Sequence, residues 1–104
     1  MAHVNWTDRS LNALDGIHDY LNREAPFYAA HILQQIIDSA DRLEEHPLSG
    51  RKVPEAERGD IREVLCRNYR IIYWVVTDER IDILSVIHGS RDLTRTDNRP
   101  WETS

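Results

Sequence analysis

Three runs of apolar, largely β-branched residues lie close together in the second half of the chain, at residues 61–66, 69–77 and 81–87. Valine, isoleucine, tyrosine and tryptophan fill these runs, and strands of a half-buried sheet prefer these residue types. The runs are separated by short polar breaks, of which Thr-Asp-Glu-Arg at residues 77–80 is typical of a tight hairpin. The pattern therefore predicts three antiparallel strands joined by short turns.

The first half of the chain shows helical periodicity instead. Leucine and isoleucine recur at residues 11, 14, 17 and 21, which predicts a helix over residues 8–23 with Thr7 as its N-cap. A second apolar series predicts a helix that begins at Pro26 and ends near residue 45, because Pro47 cannot continue it. The short link between the two predicts an antiparallel helical hairpin, whose apolar stripe needs the sheet as a partner.

These elements predict one α+β domain over residues 1–93, followed by a polar C-terminal tail at residues 94–104. Alternation of Val4 and Trp6 adds a short N-terminal edge strand. The expected architecture is an antiparallel helical hairpin packed on a three- to four-stranded antiparallel sheet. Gly16, in the middle of the first helix, favours close packing against another helix, since glycine otherwise weakens a helix by about 1 kcal/mol.

Charge and composition exclude several classes of function. The net charge is −5, and the excess acidity lies in residues 1–50, where three arginines face eight carboxylates. A nucleic-acid-binding domain normally carries a basic excess, so non-specific binding of DNA or RNA is not expected. No apolar run could span a membrane, and a lone Cys66 excludes an internal disulfide and a cysteine zinc site. The expected location is the cytoplasm, with no metal and no cofactor.

An ordered set of short motifs runs along nearly the whole chain. They are WT at residues 6–7, PLSGR at 47–51, VPE at 53–55, IRE at 61–63, YRIIY at 69–73, IDIL at 81–84 and VIHGSRD at 86–92. In this order and spacing the chain resembles the RelE/ParE toxin superfamily of bacterial type II toxin–antitoxin systems, and the ParE branch most closely.

The resemblance implies a toxin that inhibits DNA gyrase by binding to it, without an enzymatic activity of its own. It also implies a cognate antitoxin, of the ParD-like ribbon-helix-helix class, which silences the toxin and through which alone the complex contacts DNA. Two alternatives remain open. One is a RelE-like, ribosome-dependent mRNA endoribonuclease, and the other is an inactive family member that only binds the antitoxin.

A ribonuclease of this family needs a general base, a general acid and cations around the scissile phosphate. Arg70 occupies the position of one shared catalytic arginine, and His88 ends the last strand with a side chain suited to proton transfer. However, Ile61 and Glu63 stand where the RelE branch places lysines. We therefore favour a binding toxin, in which His88 instead hydrogen-bonds the turn at Gly89.

The remaining candidate site residues are arginines and one tryptophan, predicted to contact the target or the antitoxin. They are Arg51, Arg62, Arg67, Arg70, Arg91 and Trp101. For the arginines the alternative is ion pairing with Glu63, Asp82 and Asp92. Trp101 stands in a polar tail, where an exposed tryptophan often awaits a partner. The antitoxin is expected to bury an amphipathic segment in the groove between the helical hairpin and the sheet.

Overall fold

Two helices lie on one face of a five-stranded sheet in the computed structural model, which describes residues 1–90, 93 and 99–102. The helices are α1 (Asp8–Glu24) and α2 (Ala29–Asp41), and α2 continues into a 3₁₀ turn at Arg42–Glu44. The strands are β1 (His3–Trp6), β2 (Arg51–Lys52), β3 (Ile61–Cys66), β4 (Tyr69–Thr77) and β5 (Arg80–His88). Their order in the sheet is β1-β5-β4-β3-β2.

The sheet confirms the predicted α+β class but has more strands than the pattern indicated. β3, β4 and β5 form the expected antiparallel meander. The N-terminal strand β1 pairs in parallel with the first half of β5, so the sheet is mixed rather than wholly antiparallel. The two-residue strand β2 pairs with β3 and is too short to leave a period in the sequence.

Both helices keep their predicted places, but α2 is shorter than expected. Thr7 caps α1, since its hydroxyl accepts the Ser10 N–H at 3.2 Å. Pro26 lies in a turn before α2 rather than at its first position, and α2 begins at Ala29. Phe27 in this turn is 97% exposed, so it gives the helix no packing that would extend it.

Each face of the sheet carries its own buried cluster. The cluster between the helices and the sheet contains Ile36, Ala40, Leu43, Ile71, Tyr73, Ile81 and Ile83. On the opposite face, which we call the far face, lie Val53, Ile61, Ile72, Leu84, Ile87, Leu93 and Trp101. The expectation that Trp101 is exposed is therefore wrong: only 9% of it is exposed, because it covers apolar side chains of the far face. Within the described residues, no helix is long and apolar enough to cross a membrane.

The loop before β2 is fixed to the sheet through the Tyr73 hydroxyl. This group accepts the Gly50 N–H at 3.0 Å and donates to the Pro47 carbonyl at 2.9 Å. A Cβ at Gly50 would lie 2.5 Å from both the Tyr73 hydroxyl and the Glu63 carbonyl oxygen. Close approach of the loop, rather than a positive φ, therefore explains glycine at this position.

We expect Tyr73→Phe to lower the free energy of unfolding by about 1–2 kcal/mol, because it leaves the Gly50 N–H without its acceptor inside the fold. Urea denaturation followed by circular dichroism would measure the change. Tyr28→Phe is the matched control, since Tyr28 is 64% exposed and should change stability by less than about 0.5 kcal/mol. Equal stability of the two variants would contradict the anchoring role of Tyr73.

Candidate functional site

Four of the predicted site residues surround one cleft beside the β3–β4 turn. Arg51, Arg67, Arg70 and His88 line this cleft, which has a volume of about 460 Å³. The sheet register brings Arg70 close to His88. Tyr69 of β4 pairs with His88 of β5, and Arg70 pairs with Ile87. Arg91, another predicted contact residue, lies outside the described residues.

Arg70 is buried in an ion-paired network rather than presented to a partner. Its two terminal nitrogens donate to the Glu55 carboxylate at 3.1 and 3.0 Å, and its Nε donates to Glu63. The other oxygen of Glu63 accepts from Arg51 Nε at 2.5 Å. The Glu63 side chain is fully buried, whereas that of Arg51 is 61% exposed. Two guanidinium groups are thus neutralised by two carboxylates.

The electrostatics of this network hold Arg70 in its charged form. Burial opposes the charge, but the hydrogen bonds to Glu55 and Glu63 outweigh this effect and raise the pKa of Arg70 above its ordinary value. The hydrogen bond from Arg70 in turn lowers the pKa of Glu55 below its ordinary value of 4.5. At neutral pH Arg70 is therefore a fixed cation that cannot exchange a proton.

Stability should depend on pH through Glu55. Because its pKa is lowered in the folded protein, its contribution is complete above pH 4.5 and is lost as the pH falls through the folded value. We expect Glu55→Gln to reduce the free energy of unfolding by roughly 1 kcal/mol at pH 7 and by much less near pH 3. Urea denaturation of both proteins at the two pH values measures this. A difference that does not shrink in acid would contradict the ion pair.

His88 supports the turn that follows β5. Its Nδ1 accepts the Ser90 backbone N–H at 3.2 Å and lies 2.7 Å from the Ser90 hydroxyl. An Nδ1 that accepts a backbone hydrogen bond leaves the proton of the neutral ring on Nε2. The Tyr69 ring packs edge-on against the imidazole, with centroids 5.9 Å apart. These contacts agree with the expectation that His88 hydrogen-bonds the turn after β5, although the ring is exposed to the cleft.

Two other predicted contact residues serve the fold. Arg62 donates through Nη1 to the Gly50 carbonyl at 2.9 Å, so it ties the loop before β2 to the sheet. Arg67 adopts a positive φ of 55° in the β3–β4 turn and donates to Gln35 of α2. Neither shows an ion pair with Glu63 or Asp82, and Asp92, the third suggested carboxylate, lies outside the described residues. Within the described part of the chain, no three histidine, cysteine or carboxylate side chains are grouped so as to hold a metal ion.

The sequence indicates Arg70 and Glu63 as candidates for an ion pair, but it gives no sign that Glu55 joins them. Glu63 signals its role by interrupting an apolar strand, since a buried carboxylate requires a partner. Glu55 lies in a loop with several charges, and a 3₁₀ turn at Pro54–Ala56 brings it over the sheet. No local signal distinguishes it from Glu57, which is exposed.

A second feature lies on the helical side of the sheet, as predicted. A groove of about 800 Å³ separates α1 from the end of β5 and the β3–β4 turn. We call it the α1–β5 groove; its walls include Gly16, Ile17, Tyr20, Tyr69, Val86 and His88. β1 pairs only with residues 80–83 of β5, so no described strand pairs with that edge at residues 84–88. The groove thus combines an apolar wall with an open strand edge.

Comparison with known proteins identifies relatives along almost the full domain. A family model for the ParE toxin of the type II toxin–antitoxin system parDE matches residues 4–93. Toxin RelE2 of Caulobacter vibrioides is 31% identical over 91 residues, which cover 88% of this chain and 99% of the relative. Putative toxin Y4kP of Sinorhizobium fredii is 33% identical over 88 residues, covering 83% and 86% of the two chains.

A solved structure shares the fold. A chain of the chromosomal ParDE TA system from P. aeruginosa superposes with a TM-score of 0.71 at 22% identity, covering 85% of this chain and 96% of that chain. Fold and sequence together define a toxin of the RelE/ParE superfamily. Within this superfamily the chain belongs to the ParE toxin family of type II toxin–antitoxin systems. The predicted resemblance is confirmed, and the relatives carry both RelE and ParE names.

Proposed function

We propose that this chain is a toxin that acts by binding DNA gyrase in the cytoplasm, and that a cognate antitoxin neutralises it. The observation that carries this proposal is the pairing of Arg70 with Glu55 and Glu63. A ribonuclease of this fold would need that cation free to stabilise charge on a phosphate. Here two carboxylates hold it, and a buried carboxylate beside it would repel the phosphate.

The antitoxin is proposed to occupy the α1–β5 groove. An amphipathic segment could bury its apolar face against Ile17 and Tyr20, and the open edge of β5 offers backbone groups for an added strand. This groove lies on the helical side of the sheet. The cleft lined by Arg51, Arg67 and Arg70 opens beside the same β3–β4 turn. His88 borders both the cleft and the groove, so an occupant of the groove would reach the rim of the cleft.

One observation favours an alternative function. Arg70 and His88 line the same cleft, and Arg51 and Arg67 add further cationic groups to it. A ribosome-dependent mRNA endoribonuclease could use His88 for proton transfer if the ribosome or the mRNA displaced Glu55 from Arg70. Glu55 is the more accessible of the two partners, with 21% of its side chain exposed against none for Glu63.

Expression of the chain in bacteria separates these functions. Under the proposal, growth arrest is accompanied by filamentation and a DNA-damage response, and His88→Ala leaves the arrest intact. Rapid loss of full-length mRNA that His88→Ala abolishes would instead establish the ribonuclease. Unhampered growth, with stable protein detected by immunoblot, would leave only an inactive antitoxin-binding member of the family.

A second variant tests Arg70 without leaving the fully buried carboxylate of Glu63 unpaired. The double variant Glu63→Leu with Arg70→Met replaces both charges by apolar groups of similar size, a change that proteins often tolerate. The proposal predicts that this folded variant still arrests growth. Loss of arrest together with normal thermal stability would show that Arg70 has a chemical role.

A further inference from the structure

Gly16 lies in the middle of α1 and is not explained by any contact within the described part of the chain. A helical glycine weakens a helix by about 1 kcal/mol relative to alanine. No glycine of this chain has a positive φ among the described residues, so the backbone does not require glycine here. A Cβ built at Gly16 would meet nothing within 4 Å. Within the described residues, no other helix packs closely against Gly16, so the predicted close packing is not seen in the free chain.

The open space at Gly16 belongs to the α1–β5 groove. Gly16 forms part of its wall, between Ile17 and Tyr20 of the same helix, and Val86 of β5 lines the groove as well. Tyr20 is 52% exposed although it is aromatic and borders an apolar groove. The surface of α1 therefore has a gap at Gly16, where no side chain projects, beside the apolar Ile17 and the aromatic Tyr20.

We propose that Gly16 determines which antitoxin this toxin accepts, by letting an amphipathic helix of the cognate antitoxin approach the backbone of α1. The inference rests on the proposed function, in which the antitoxin occupies this groove. Helices pack closer where a residue lacks a side chain, because the interaxial distance depends on the side chains at the contact. A partner helix seated at Gly16 would also cover Ile17 and Tyr20, which a monomer leaves partly exposed.

This role differs from a contribution to the fold. A Cβ at Gly16 meets no atom within 4 Å, so a side chain added there should change recognition of the antitoxin without changing the fold. In the free toxin, alanine has the open space that it needs and should slightly stabilise α1.

The test uses the purified toxin, its Gly16→Ala and Gly16→Leu variants, and the antitoxin encoded beside it as the probe. Asp15→Leu is the matched control, because Asp15 is exposed on α1 and does not line the groove. We expect Gly16→Leu to weaken antitoxin binding roughly 100-fold in calorimetry, with a smaller loss for alanine and less than about 2-fold for the control. Circular dichroism should show unchanged folds.

The outcomes separate this inference from the proposed function. Gly16→Leu that arrests growth and escapes rescue by the coexpressed antitoxin supports the inference. Unchanged affinity in both glycine variants would overturn it and leave the toxin–antitoxin pairing intact. If even the parent toxin is neither bound nor neutralised by the antitoxin, the proposed function fails and the inference fails with it. Should the leucine variant not fold, the alanine variant decides between the first two results.

Discussion

Glu63→Ala is expected to lower the free energy of unfolding by about 3 kcal/mol, because it removes a fully buried carboxylate from between Arg51 and Arg70. Arg70 would keep Glu55 as a partner but lose the anion beside its Nε in a dry part of the fold. For a chain of 104 residues this corresponds to a fall in melting temperature of roughly 15 °C. Differential scanning calorimetry at pH 7 would measure it.

The control for this prediction is Glu79→Ala, which removes an exposed carboxylate from the β4–β5 turn. Its effect should stay below about 0.5 kcal/mol. Comparing Glu63→Ala, Arg70→Ala and the double variant gives the coupling energy between the two residues. Effects that simply add would show that Arg70 does not depend on Glu63, and the description of the cleft as a neutralised network would then be wrong.

Trp101→Ala is expected to lower the free energy of unfolding by about 3 kcal/mol, since it removes a large buried ring from the far face of the sheet. The ring packs in one cluster with Ile72 and Leu84, so its loss would open a cavity over the centre of the sheet. Urea denaturation followed by circular dichroism would measure the change in the free energy of unfolding.

If Trp101 contacted a partner protein instead of the far face of the sheet, the result would differ. In that case Trp101→Ala would leave the free toxin as stable as the parent and would weaken only complex formation. Trp101→Phe keeps an aromatic ring in the same place and should recover most of the lost stability if burial is the reason. Recovery of stability by phenylalanine, combined with unchanged antitoxin affinity, is the result that we expect.

Much of the fold follows from local pattern. Runs of apolar, largely β-branched residues at 61–66, 69–77 and 81–87 predict β3, β4 and β5, and the helical period predicts α1 and most of α2. The parallel pairing of β1 with β5 was not predictable in this way. It joins residues more than seventy positions apart, and four residues carry too little pattern to select a partner.

The site was predicted in part, for a similar reason. Arg70, His88, Arg51 and Arg67, all named as candidates, meet at one cleft. What the sequence could not show is burial: Arg70 and Trp101 were candidates for partner contact, and both lie inside the fold. Burial at these positions depends on the segments at residues 53–56 and 99–102, which cover the far face and have no periodic pattern.

These findings suggest how the fold could serve a binding toxin. The charges most useful to a ribonuclease are used to hold the loop at residues 51–55 onto the sheet. Exposed apolar surface remains in the α1–β5 groove and at the turn between the helices, where Phe27 is almost fully exposed. Such a toxin needs a stable ion-paired network around Arg70 and an α1–β5 groove that a partner can reach.

The most direct test of the central proposal is an assay of purified toxin with DNA gyrase, supercoiled DNA and ATP. We predict that the parent toxin and its His88→Ala variant both inhibit supercoiling and accumulate cleaved DNA, and that the antitoxin prevents this. The same preparation should leave mRNA on translating ribosomes intact. Cleavage of that mRNA by the parent but not by His88→Ala, with gyrase unaffected, would contradict the proposal.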